Sequence, residues 1–204
     1  MKQKTLIVID VQNEFCHPDG FFAKNLCECN SDGFFGEDKL TTSSIDETVD
    51  NIQCAIERFK SSGLPVVYIK GVSDPEYVSK ERFSRYGNMY LEGFLKDGTW
   101  STDFYRLRPN QDEAIFKKGA YDPFQNPNFK KYVQDNASEL ILVGFFSDVC
   151  IDAAARSADQ RDVGVPTSTI ANCSMGLYRN HQENLRFMEM FYGTTVYDTL
   201  EDIK

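Results

Sequence analysis

Tryptophan and histidine are scarce in this 204-residue chain, which has one Trp and two His, His17 and His181. Two histidines exclude a His-rich metal cage and leave little material for Ser-His-Asp chemistry. Basic residues are also in deficit, 22 Lys and Arg against 31 Asp and Glu, for a formal net charge of −9. That balance speaks against nucleic acid or an anionic membrane surface as a partner. No apolar run approaches the roughly 18 residues that a membrane span needs. The segment ahead of Asp10 shows no small-residue cleavage site and carries charge, so no secretory leader is expected. The six cysteines, at 16, 27, 29, 54, 150 and 173, lack the dense spacing of a disulfide scaffold. Reduced thiols in a cytoplasmic protein are the expectation. Cys27-Glu-Cys29 is too close for a Cys-x-x-Cys zinc knuckle and no second pair answers it, so it reads as a solvated loop.

What is present is an alternation of apolar runs and amphipathic stretches. Segments at 5–9, 64–69, 114–116, 140–143, 165–170 and 194–197 predict six strands, and the continuous apolar run at 5–9 reads as one buried on both faces. Ile45, Val49, Ile52, Ile56 and Phe59 recur at helical spacing, with Ser44 as N-cap and Gly63 as stop. Further helices are expected at 129–136, 148–162 and 180–192. This order implies an α/β, doubly wound, Rossmann-like three-layer domain over residues 1–204, with a mainly parallel six-stranded sheet. Residues 16–44 and 71–112 interrupt the alternation and read as long polar loops of functional character.

Ligands of open α/β sheets bind beyond the carboxyl ends of the strands. There the chain delivers Asp10 after the first strand, Lys117 and Lys118 after the third, and Cys150 after the fourth. Singly, each has an ordinary reading: a loop cap, a solvated charge, a small buried hydrophobe. Cys150 has a more specific context. Ser147 or Asp148 would cap a helix opening there, and unpaired backbone N–H groups would favour a thiolate and hold an oxyanion. With histidine scarce, a carboxylate is the available proton acceptor.

Three blocks carry a family resemblance: Leu6-Ile-Val-Ile-Asp-Val-Gln-Asn-Glu-Phe15, Lys118-Gly-Ala-Tyr-Asp-Pro-Phe124, and Leu142-Val-Gly-Phe-Phe-Ser-Asp-Val-Cys150. In this order, with Gly98-Thr99-Trp100 ahead of the second block, the sequence resembles the isochorismatase-like cysteine hydrolases. That family includes nicotinamidases and N-carbamoylsarcosine and ureidoacrylate amidohydrolases. The resemblance implies a catalytic aspartate at Asp10, a lysine at Lys118 and a nucleophile at Cys150. It also implies a cis peptide between Phe145 and Phe146, with the N–H groups of Phe146 and Cys150 forming the oxyanion site. Phe145 and Phe146 stand where the family usually has small aliphatic residues, and Ser147 replaces a common threonine.

Nicotinamidases of the family carry an Asp-x-His plus His metal cluster after the second strand. The equivalent stretch here, Lys70-Gly-Val-Ser-Asp-Pro-Glu-Tyr77, has no histidine, so neither metal nor cofactor is expected. The leading expectation is a metal-independent amidase or ureidase acting on a small molecule, with Gln12, Phe15, Trp100, Tyr121 and Phe146 as pocket walls. A vinyl-ether hydrolase of isochorismatase type and an inactive binding protein of the same fold are the alternatives. Homo-oligomer formation, as a dimer or tetramer, is implied by the resemblance alone. With Lys118 nearby a Cys150 thiolate is favoured, whereas the adjacent Asp10 charge favours one proton shared as thiol plus carboxylate. Either way Cys150 is expected to be alkylated ahead of Cys54 and Cys173, which are read as buried.

Overall fold

The apolar run Thr5–Ile9 lies within strand β1 (Gln3–Ile9), in the middle of the sheet. The computed structural model describes residues 1–21, 41–160 and 163–203; Cys27, Cys29 and most of the 16–44 stretch lie outside these. Strands β2 (Val66–Gly71), β3 (Ala114–Lys118), β4 (Ala137–Phe145), β5 (Thr167–Met175) and β6 (Thr195–Tyr197) complete the sheet. Its order is β3-β2-β1-β4-β5-β6, and every neighbouring pair is parallel. The sheet is therefore wholly rather than mainly parallel.

Side chains alternate along a strand, so a central strand must be apolar on both faces. Leu6 and Val8 of β1 join one core with Ile141 and Val143 of β4, whereas Ile7 and Ile9 join the other with Leu140 and Leu142. Helix α1 (Asn13–Cys16) follows β1 directly, and α2 (Thr42–Ser61) covers the first face through Ile45, Val49, Ile52 and Phe59. Helices α4 (Pro127–Asn136), α5 (Asp152–Gln160) and α6 (His181–Tyr192) cover the second. No helix among the described residues is long and apolar enough to cross a membrane.

The N-cap of helix α2 lies three residues before the expected one. Thr41 is the N-cap, and Ser44 reciprocates: the Ser44 N–H donates to Thr41 Oγ1 at 3.1 Å and the Thr41 N–H to Ser44 Oγ at 3.0 Å. Gly63, at φ 67°, turns the chain out as expected. The polar stretch 71–112 is not a loop throughout, because Lys80–Leu91 forms helix α3, capped where Ser79 accepts from the Arg82 N–H at 3.1 Å. None of its residues is buried. An apolar run to mark it is therefore missing from the sequence.

Strand order reverses between β1 and β4, the position where an open α/β sheet leaves a crevice. Gly144 sits there at φ 122°, and a Cβ at this residue would lie 2.0 Å from the Ile9 carbonyl oxygen. Only glycine lets the two central strands approach this closely at their ends.

Candidate active site

The chain leaves β1 through Asp10, which takes φ 55°, a left-handed conformation that Asp enters more readily than most residues. β3 ends on Lys118, and β4 leads through a cis Phe145–Phe146 bond into a wide π-type turn, Ser147–Ile151, that opens α5. These three strand ends bring Asp10, Lys118 and Cys150 together beneath the surface, each less than a tenth exposed. Lys118 Nζ donates to Asp10 Oδ2 at 2.7 Å, to Cys150 Sγ at 3.3 Å and to the Ala120 carbonyl at 3.1 Å. All three ammonium protons are thus engaged. Asp10 Oδ1 is buried and has no hydrogen-bond partner.

Burial pushes the Cys150 thiol up to about 12, with the Asp10 charge adding to the rise and Lys118 opposing it. Burial would lower the Lys118 ammonium, yet Asp10 and Cys150 together hold it above its ordinary value. Burial thus favours the thiol at Cys150 over the thiolate that a helix N-terminus alone would favour. Nor is the helix capped as expected. The Ser147 hydroxyl pairs with His181 Nδ1 at 2.8 Å, and the Asp148 carboxylate accepts the N–H groups of Leu177, Tyr178 and Arg179 at 2.7 to 2.9 Å. Asp148 thereby ties the loop after β5 against the site.

Reactivity follows. Cys54 is exposed on α2, not buried, and should be the first of these thiols alkylated by iodoacetamide at neutral pH. Modification of Cys150 should climb about tenfold per pH unit from pH 7 to 10, because only the thiolate reacts and its fraction is still rising. Site-resolved mass spectrometry reads both rates. A plateau for Cys150 below pH 9 would show a resting thiolate instead.

Above the three groups lies a cavity of about 450 Å³. Its floor is Asp10, Lys118, Cys150 and Phe146; Phe15, Phe94 and Tyr121 stand among its walls, and α3 covers it with Arg82, Tyr86, Met89 and Tyr90. Phe15 meets Phe146 and Phe94 edge-on at centroid separations of 6.3 and 6.4 Å, and Tyr90 stacks on Phe94 at 6.3 Å. Of the expected wall residues, Phe15, Tyr121 and Phe146 line this space, and Gln12 and Trp100 do not. Gln12 is fully buried, its amide bonded to the Gly71 backbone on both sides, Nε2 to the carbonyl at 3.1 Å and Oε1 from the N–H at 2.7 Å. It clamps the ends of β1 and β2. Trp100 is 47% exposed and packs its ring edge on His17 at 5.0 Å, while its carbonyl accepts from Asn13.

The lining on α3 escaped the sequence reading. Arg82, Tyr86, Met89 and Tyr90 fall at i, i+4, i+7 and i+8, a one-face helical pattern. Its polar first member and Gly87 obscured the signal.

The sequence matches the description "Isochorismatase domain" over residues 4–201. The chain belongs to the isochorismatase family. This family member is 24% identical over 170 residues to the ureidoacrylate amidohydrolase RutB of Acinetobacter baylyi, an alignment covering 76% of this chain and 64% of that protein. It is 23% identical over 155 residues to the isochorismatase family protein YddQ of Bacillus subtilis, covering 75% and 68%. The chain thus spans about two thirds of the length of these relatives. The fold is similar to that of N-carbamoylsarcosine amidase from Thermoplasma acidophilum, with a TM-score of 0.72, 24% identity, and coverage of 98% of this chain and 99% of that one. The protein is an isochorismatase-family hydrolase. Among the described residues, no three His, Cys, Asp or Glu side chains converge as metal ligands. In the stretch after β2, Asp74 instead accepts the Asp97 N–H at 3.1 Å, and no histidine stands beside it. That donor set does not fit a His-bound zinc.

Proposed function

We propose that this isochorismatase-family hydrolase cleaves a C–N bond, amide or ureide, of a small molecule through a thioester on Cys150. The reading is carried by one observation: Lys118 bridges Asp10 at 2.7 Å and Cys150 at 3.3 Å while the second oxygen of Asp10 is buried without a partner. An unpartnered carboxylate oxygen beside a protonated thiol is suited to act as a base. Asp10 takes the thiol proton as sulfur attacks the carbonyl carbon. The N–H groups of Phe146 and Cys150 receive the oxyanion. Asp10 returns the proton to the leaving nitrogen, the C–N bond breaks, and an acyl thioester remains. Asp10 then takes a proton from water, which attacks the thioester, and the thiol is restored as the acid product leaves. Lys118 holds the carboxylate in place and balances the charge throughout.

The test is a panel of primary amides and ureides, with ammonia release followed and acid-quenched samples examined by mass spectrometry. Turnover accompanied by an acyl adduct on Cys150 is the expected result. Turnover with no adduct, on a vinyl ether in preference to any amide, would replace this reading with the isochorismatase-type reaction.

A further inference from the structure

The cavity contains a cation that no carboxylate among the described residues neutralises. Arg82 enters it from the first turn of α3, and among the described residues it forms no ion pair. Its guanidinium lies over the Tyr121 ring at 4.4 Å and the Tyr86 ring at 5.1 Å from the centroids. Tyr90 and Tyr121 also accept hydrogen bonds from the guanidinium, but neither phenol brings a full negative charge to it. Arg82 Nε is buried and has no hydrogen-bond partner. A buried donor on a permanently charged group is costly unless an acceptor arrives to meet it. The other cation of the cavity, Lys118, already donates to Asp10, Cys150 and Ala120.

The rest of the lining narrows what would bring that acceptor. Beyond Asp10, Lys118 and Arg82 the cavity presents no charged side chain among the described residues, and aromatic rings dominate its walls. A volume of about 450 Å³ exceeds what a urea or a short aliphatic amide fills. Cys150 stands on the sheet side and Arg82 on the covering helix, so the two chemistries belong to different walls.

We infer that Arg82 is a specificity-determining residue and that the substrate is an aromatic amide or ureide bearing a carboxylate remote from its scissile carbonyl. The carbonyl end meets Cys150, the ring packs among Phe15, Tyr90 and Phe94, and the carboxylate meets the edge of the stacked guanidinium. A planar guanidinium held by two rings is suited to a two-point carboxylate contact, which an ammonium on a flexible stem does not reproduce. The inference rests on the proposed reaction only for which carbonyl is attacked; anion recognition does not depend on it.

The test uses binding as well as turnover. Three probes, 4-carbamoylbenzoate, 4-carbamoylphenylacetate and 3-(4-carbamoylphenyl)propionate, are each titrated beside the neutral counterpart in which the carboxylate is a second amide. At least one acid should bind tenfold or more tightly than its neutral partner, in the wild type and in Cys150→Ala alike. Arg82→Met should abolish that ratio, and Arg82→Lys should restore only part of it. The ratio is the decisive quantity, because a variant that had lost its fold would lose the neutral partner as well. Equal affinities within every pair, no measurable binding of any probe at millimolar concentration, or a preference that survives Arg82→Met would overturn the inference. A preference present without amide turnover would sink the amidase reading and leave the role of Arg82 standing.

Discussion

Cys150→Ala should reduce kcat for amide hydrolysis on the order of 10⁴-fold or more, and Asp10→Asn should fall within about tenfold of it. The expected near-equality follows from geometry. Asp10 and Cys150 are both hydrogen-bonded by the same Lys118 ammonium, and burial keeps the thiol protonated with its pKa near 12. Without the carboxylate the thiol has no base; without the thiol the base has no nucleophile to activate. Groups that act as a unit are non-additive, so the Asp10→Asn/Cys150→Ala double variant should be scarcely slower than either single one. Steady-state ammonia release measures all three. Fully additive losses would mean that the two residues act independently, and the shared-proton mechanism would fall.

The largest effect on stability should come from Lys118→Met. Lys118 and Asp10 are 4% and 1% exposed, and their 2.7 Å pair is sealed beneath the cavity. Removing the lysine strands a buried carboxylate whose second oxygen already lacks a partner. Breaking one side of such a pair costs about 3–5 kcal/mol. For a chain of this length that corresponds to a fall in Tm of roughly 10 °C. Asp10→Asn/Lys118→Met should recover much of the loss, since replacing both ions leaves no uncompensated charge, although activity stays absent. Denaturant unfolding of the two variants gives the comparison. If Lys118→Met lay within about 1 kcal/mol of wild type, the pair would not be ionic as described.

Much of the architecture was legible because parallel strands buried on both faces leave an unbroken apolar run, and Thr5–Ile9 and Leu140–Val143 are such runs. Asp10, Lys118 and Cys150 were singled out because each lies at or shortly beyond the carboxyl end of a strand, where open sheets build their sites. Their mutual distances were not, since β3, β1 and β4 meet only through the strand order. Gln12 and Trp100 misled the pocket assignment for a related reason. A polar or aromatic residue next to a motif can serve the backbone or a neighbouring ring, and Gln12 pairs with Gly71 across 59 positions of sequence.

The sequence by itself determined the layered α/β fold, the family, and the three chemical groups at the sheet edge, because local apolar patterning and contiguous motifs encode all of these. Tertiary structure alone decided the protonation of the site and the character of the pocket. Burial of Cys150 against Asp10 overrides the helix-terminus argument that favoured a thiolate. Helix α3, with no buried residue to announce it, becomes part of the site only by lying across the cavity. Pairwise distance and desolvation are properties of the folded chain, and no reading of residues in order contains them.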